Sequence, residues 1–232
     1  MYATSLSYDR HRFNGLPEIE AADSFVRSSG SRARVLRRLS PIFFKHQVCD
    51  WFGLCLLHKH WQLEDDELPL QEITATNSRL TLTTTPQHRH SAAPVWPSVF
   101  QVSGACGLQA LEFSTDHRVG VANSILEERP AFGLDFCEAI AEEAVADCFG
   151  LCVIRPQTKA GLQFVEFNYA ERVSITREIT SLELGNKIPI QTQWRFHADA
   201  MANSCEASCF SQCIVSGDGS HRHAHPKAHK PG

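Results

Sequence analysis

Apolar positions along this chain follow a helical period and then an extended run, and this succession occurs twice. Phe43, Phe44, Gln47, Val48 and Trp51 recur at helical spacing, and Leu54 to Leu57 follow as an apolar run too short for a helix. Later, Cys137, Ile140, Ala141, Ala144, Val145 and Cys148 form a helical stripe with Glu138, Glu142 and Glu143 off it, and Leu151 to Ile154 are the second short run. Each copy therefore predicts a helix feeding a strand. Ser40 and Pro41 predict the N-cap and first turn of the first helix, and Asp135 the cap of the second. Gly53 and Gly150 are placed to end the helices in the left-handed conformation.

The two segments also share identities. Asp50-Trp51-Phe52-Gly53-Leu54-Cys55-Leu56-Leu57-His58 returns as Asp147-Cys148-Phe149-Gly150-Leu151-Cys152-Val153-Ile154-Arg155, an offset of 97 residues with five of nine positions identical. Self-similarity at a fixed offset predicts one structural unit used twice. Leu162 to Phe167 alternate in the manner of a half-buried strand, a weaker equivalent is expected at 67–73, and further strands at 80–84, 108–113, 173–175 and 189–196. The Pro-, His- and Ser-rich stretch 85–97 reads as a surface loop.

These elements predict an α+β domain of two related helix-plus-antiparallel-sheet halves, 34–116 and 117–216, packed into one globule. Phe43, Phe44, Trp51, Phe52, Phe149, Phe164 and Phe167 are expected inside. Residues 1–33 are expected to be a flexible polar leader, and 217–232, with four histidines, two prolines and no large apolar side chain, a disordered tail.

Composition narrows the function classes. The formal charge of −4 over 232 residues gives no electrostatic reason to expect nucleic acid. The basic cluster Arg27, Arg32, Arg34, Arg37 and Arg38 reads as a solvated helix flank. No apolar run reaches bilayer length, and no secretory signal is visible, so a cytoplasmic protein without membrane contact is expected. Nine cysteines in such a chain are expected as thiols.

Across Phe52-Gly53-Leu54-Cys55-Leu56-Leu57-His58-Lys59-His60 and Glu166-Phe167-Asn168-Tyr169-Ala170-Glu171-Arg172-Val173-Ser174-Ile175, the chain resembles a loose group of uncharacterised proteins of filamentous fungi. These carry a Phe-Gly-x-x-Leu-x-His-x-His run. Ala170-Glu171-Arg172 departs from their usual Gly-Arg. The resemblance implies a fungal intracellular protein and no particular activity.

Candidate chemistry centres on metal ligands. If the strand from Leu54 continues through His58 and His60, both imidazoles share a face, about 6–7 Å apart at the backbone. That suits two ligands of a Zn, Fe or Cu ion. With Glu64, the order His-x-His-x3-Glu is similar to the first metal motif of cupins, although Gly53 lies one residue too near His58 and Phe164 stands where the second motif supplies histidine. The alternative for the pair is a solvent-facing strand end. Cys205, Cys209 and Cys213 are spaced by four. On a helix the outer two would lie about 12 Å apart, and on a strand neighbours would lie about 13 Å apart. A zinc site there would need His221 and His223 from the tail, and the tail can also bind metal by itself. Glu64 to Glu67 reads as a solvated turn. No nucleophile elbow, phosphate loop or dinucleotide fingerprint appears. Two functions follow as expectations: an intracellular binding or interaction protein for an unknown protein or small molecule, or a metal-dependent protein or enzyme using the His-x-His pair.

Overall fold

The twin apolar runs meet in the middle of a single sheet. In the computed structural model, which describes residues 8–76, 79–88, 94–104, 107–155, 162–169, 171–184, 189–199 and 204–214, they are the strands β1 (Phe52–Leu56) and β6 (Phe149–Val153). They pair with each other antiparallel, with Leu54 opposite Leu151. The other strands are β2 (Glu67–Thr76), β3 (Arg79–His88), β4 (Trp96–Ser103), β5 (Gly107–Ser114), β7 (Gln163–Tyr169), β8 (Val173–Ile179), β9 (Ile190–Asp199) and β10 (Ser204–Ile214). The ring runs β1-β6-β4-β5-β2-β3-β8-β7-β10-β9 and closes from β9 back to β1.

This closed ten-strand barrel replaces the expected pair of half-sheets packed face to face. The reason is edge pairing: β1–β6, β1–β9, β4–β6 and β3–β8 join the run β4-β5-β2-β3 of the first half to the run β8-β7-β10-β9 of the second, so the two sheets meet edge to edge instead of face to face. Closure also removes the free edges that two separate sheets would expose. Exchanging strands β1–β5 with β6–β10 returns the same ring read in reverse. Pairing is antiparallel except between β2 and β5 and between β7 and β10, which are parallel. Strand β4 begins inside the expected loop and β3 extends into it, to His88.

Helices cover one side of the ring. α3 (Ser31–His46) buries Val35, Leu39 and Phe43 at four-residue spacing. α5 (Pro130–Glu142) buries Phe132, Phe136 and Ile140. Phe43 stacks on Phe196 of β9, with ring centroids 4.1 Å apart, and meets Phe132 edge-on. The outward residues of the twin strands, Phe52, Leu54, Leu56, Phe149, Leu151 and Val153, join this cluster. α4 (His117–Glu128) is capped by Asp116, whose carboxylate accepts the Arg118 N–H at 3.0 Å. α6 is one turn, Ser181–Leu184. Among the described residues no helix is long and apolar enough to cross a membrane.

Several local expectations are corrected. Ser40 and Pro41 lie inside α3 rather than at its start, with the Ser40 hydroxyl donating to Leu36 O at 3.0 Å. The buried stripe on both sides of Pro41 carries the helix through it. Asp135 lies inside α5, where its carboxylate accepts from Lys45 at 2.8 Å and contacts His46 at 2.7 Å. The stretch 10–29 is not a loose leader: α1 (Arg10–Asn14) and α2 (Ile19–Ser29) bury Phe13, Leu16, Ile19, Ala22 and Val26. Phe44, Trp51 and Phe167 are only partly buried, whereas Phe43, Phe52, Phe149 and Phe164 are fully inside. The His-rich tail lies outside the described residues.

Candidate metal centre

β1 ends at Leu56, so His58 and His60 sit in the irregular segment after it rather than on a continuing strand. That segment is held from two directions. Leu57 N–H donates to Cys148 O at 2.8 Å. Asn14, at the end of α1, exchanges hydrogen bonds with the Leu63 backbone at 2.8 and 2.9 Å, and the Lys59 N–H donates to Pro17 O at 3.0 Å. The N-terminal segment thus folds the histidines inward, and both side chains are more than nine-tenths buried.

Across the barrel, β7 and β10 run parallel with Glu166 opposite Cys213. His58, His60, Glu166 and Cys213 converge, with their ligand atoms all within 4.8 Å of one another. His60 Nε2 lies 3.1 Å and His58 Nε2 3.8 Å from the Glu166 carboxylate. The two imidazole rings meet edge-on at 4.6 Å. His58 Nδ1 is 2.8 Å from Leu56 O. A carbonyl only accepts, so Nδ1 carries the proton and Nε2 presents a lone pair to the cluster. His58 Nε2 and His60 Nδ1 are buried without a hydrogen-bond partner. The Ser174 hydroxyl donates to Glu166, and Asn168 Nδ2 donates to Cys213 Sγ at 3.6 Å, so the carboxylate and the sulfur each have a supporting contact.

Electrostatics keep the cluster charged. Burial raises the Glu166 pKa, but His60 and His58 outweigh burial and hold it well below the usual carboxylate range. Burial lowers that of His58, yet the Glu166 carboxylate close by carries it above the ordinary histidine value. Glu112 of β5 stands nearby. Burial, reinforced by the Glu166 charge, outweighs His58 and Arg155 and raises its pKa to about 7.

The cluster forms one wall of a small cavity of about 50 Å³ that also meets Trp61, Gln71, Glu112, Thr176 and Gln193. A volume of this size admits water-sized groups.

The chain matches no protein-family model, no curated protein and no solved structure.

Of the residues singled out from sequence, His58, His60 and Cys213 come together, and the solvent-facing alternative for the histidines is overturned by their burial. Glu64 is exposed and contacts Arg172 at 3.7 Å, outside the cluster. Cys209 points elsewhere, its thiol donating to Ser211 O at 3.4 Å. Cys205 lies on β10, its side chain outside the described residues, as are His221 and His223. Glu166 is the ligand that sequence reading missed. It is the polar member of the alternating run 162–167, and an alternating strand is normally read as polar-side-out. In a closed ring that side can face an interior wall instead.

Proposed function

We propose that this protein binds a transition-metal ion, zinc by preference, on His58, His60, Glu166 and Cys213, and presents it to the small barrel cavity beside them. The observation that carries the reading is the convergence of two imidazoles, a carboxylate and a thiol, with buried imidazole nitrogens lacking any other partner. Leaving His58 Nε2 unpaired costs about 1–3 kcal/mol, which a bound ion would recover. The donor set fits zinc: bonds of about 2.0–2.3 Å to N, O and S imply ligand separations near 3.3–3.8 Å, the two imidazole–carboxylate contacts are 3.1 and 3.8 Å, and the whole set lies within 4.8 Å. A thiolate among imidazoles disfavours magnesium and calcium.

His58, His60 and Glu166 border the cavity, while Cys213 packs into the helix-covered core. A zinc ion there would act as a Lewis acid toward a carbonyl or a water molecule. Glu112 stands on the same wall as a carboxyl group able to give or take a proton.

Metal analysis of tag-free, full-length protein tests the reading. One equivalent of metal is expected that His58→Ala/His60→Ala loses, beyond any held by the His-rich tail. Chelation is expected to lower the melting temperature of the wild type and leave the double variant unmoved. The cobalt-substituted protein is expected to show a near-ultraviolet thiolate charge-transfer band that is absent in Cys213→Ser. Equal metal content and equal chelator response in wild type and double variant would reject the site.

A further inference from the structure

The space beside the metal cluster limits what an ion there could bind. It measures about 50 Å³, and the neighbouring cavity, with the buried Arg155 on its wall, only about 40 Å³. One water molecule takes up about 10–15 Å³ of such space, so the cavity at the cluster holds roughly three to five water-sized atoms. Sites for organic substrates run to about 300 Å³ and above.

The N-terminal segment helps to keep this space small. Phe13 and Leu16, 1% and 5% exposed, stand on its wall with His58, His60 and Trp61. α1 carries Phe13 and is tied to the segment that bears the histidines. The ties are the Asn14–Leu63 hydrogen bonds and Lys59 Nζ, which donates to Asn14 O at 2.9 Å.

The space is also polar. Gln71, Thr84, Thr176, Thr192, Gln193 and Ser211 lie along it. Two polar atoms of residues on the wall, the donor Trp61 Nε1 and the acceptor Gln71 Oε1, are buried without a hydrogen-bond partner. An apolar occupant offers such atoms nothing. Three of the four proposed ligands, His58, His60 and Glu166, border the cavity, whereas Cys213 belongs to the core cluster outside it. An ion held by all four therefore has the cavity on a side not taken by sulfur, and zinc can expand from four ligands to five.

We propose that the cavity is the binding site for an exogenous ligand of the ion, a polar inorganic species of up to about three non-hydrogen atoms attached through one end, and that the barrel excludes organic ligands from the metal. The inference rests on the metal reading above and names the class of ligand for that site.

The test uses full-length, cobalt-loaded protein and follows the charge-transfer band that depends on Cys213, so that metal held by the His-rich tail is silent. The protein is titrated with azide, cyanate and hydrosulfide, and separately with the larger ligands imidazole and acetohydroxamic acid. At least one of the three small ligands is expected to shift the band saturably, with one ligand bound per cluster ion, and the two larger ligands to leave it unmoved. Phe13→Ala, or Leu16→Ala should the first variant fail to fold, is expected to keep the metal and gain a response to imidazole. A shift with imidazole or acetohydroxamic acid in the wild type overturns the proposal, as does the lack of a shift with all three small ligands. So does a folded, metal-loaded variant that still ignores imidazole, because size would then not be the barrier. Each of these outcomes leaves the metal reading standing. Protein that shows no Cys213-dependent band with cobalt overturns the metal reading, and this inference with it. If neither variant folds, the wild-type comparison of small with larger ligands decides by itself.

Discussion

At the scale of single residues, the barrel's interior rim depends on paired charges whose strength varies with pH. Glu67 begins β2 and is buried, and Arg172, in the left-handed region at φ 58°, reaches it with both terminal nitrogens. Burial raises the Glu67 pKa, but Arg172 and the Glu64 N–H outweigh burial and leave it lowered. A carboxyl lowered on folding contributes stability above its unfolded pKa, about 4.3, and loses that contribution as pH falls through the folded value. Arg172→Met is therefore expected to cost about 2 kcal/mol near neutrality, a figure discounted because the arginine is one-third exposed. The cost is expected to shrink below about pH 4. Urea denaturation of both proteins across that range checks this, and a difference that does not change with pH would show that the pair is not its source. Residues of this kind were poorly legible in the sequence. Glu64 and Glu67 look alike in an acidic run, yet only Glu67 is buried against an arginine more than a hundred positions away. His58 and His60 were legible as a pair because their spacing is local. Glu166 and Arg155 were not, because nothing in an alternating strand or at a strand end tells whether the polar side meets water or an enclosed space.

At the scale of elements, Gly53 and Gly150 carry the largest correction. They read as helix stops, but both lie within strands. A Cβ on Gly53 would lie 2.5 Å from Trp194 O, and one on Gly150 would press on Phe100 O just as severely. The glycines allow each twin strand to approach its outer neighbour, β9 or β4. The helices are stopped instead by Gln47 at φ 53° and Ala144 at φ 54°, again 97 positions apart. Gly150→Ala is expected to destabilise by about 2–3 kcal/mol through overpacking against backbone that cannot yield. Ala144→Gly is expected to stabilise by about 0.5–1 kcal/mol by relieving left-handed strain. Chemical denaturation of the two variants checks both signs, and a neutral Gly150→Ala would mean that β4 and β6 separate easily. Element type was legible wherever periodicity ran long, as in the stripes of α3 and α5. Boundaries failed where a proline or glycine suggested punctuation that tertiary packing overrode, at Pro41 and at the twin glycines.

At the scale of the whole molecule, the ring makes the two halves interdependent. β1 takes one neighbour from the second half in β6 and another in β9, and β3 pairs with β8. Fragments 1–114 and 115–232 are accordingly expected to be unfolded or aggregated alone and to regain native-like sheet content when mixed. Circular dichroism of the separate and combined fragments measures this, and a cooperative melt from either fragment alone would contradict it. Sequence reading saw the internal likeness but not the closure, because an offset between two segments says nothing about whether they face each other or lie side by side. That they lie side by side is a matter of hydrogen-bond register, which no single segment encodes.

The order of the proposed ligands along the polypeptide also bears on its synthesis. Both imidazoles emerge from the ribosome early, the carboxylate more than a hundred positions later, and the sulfur on the last strand. A nascent chain would therefore have no complete chelating set until β10 was made. Acquisition of the ion would become a late step of maturation, and a product cut short before Cys213 would lack the ion's fourth anchor and part of β10.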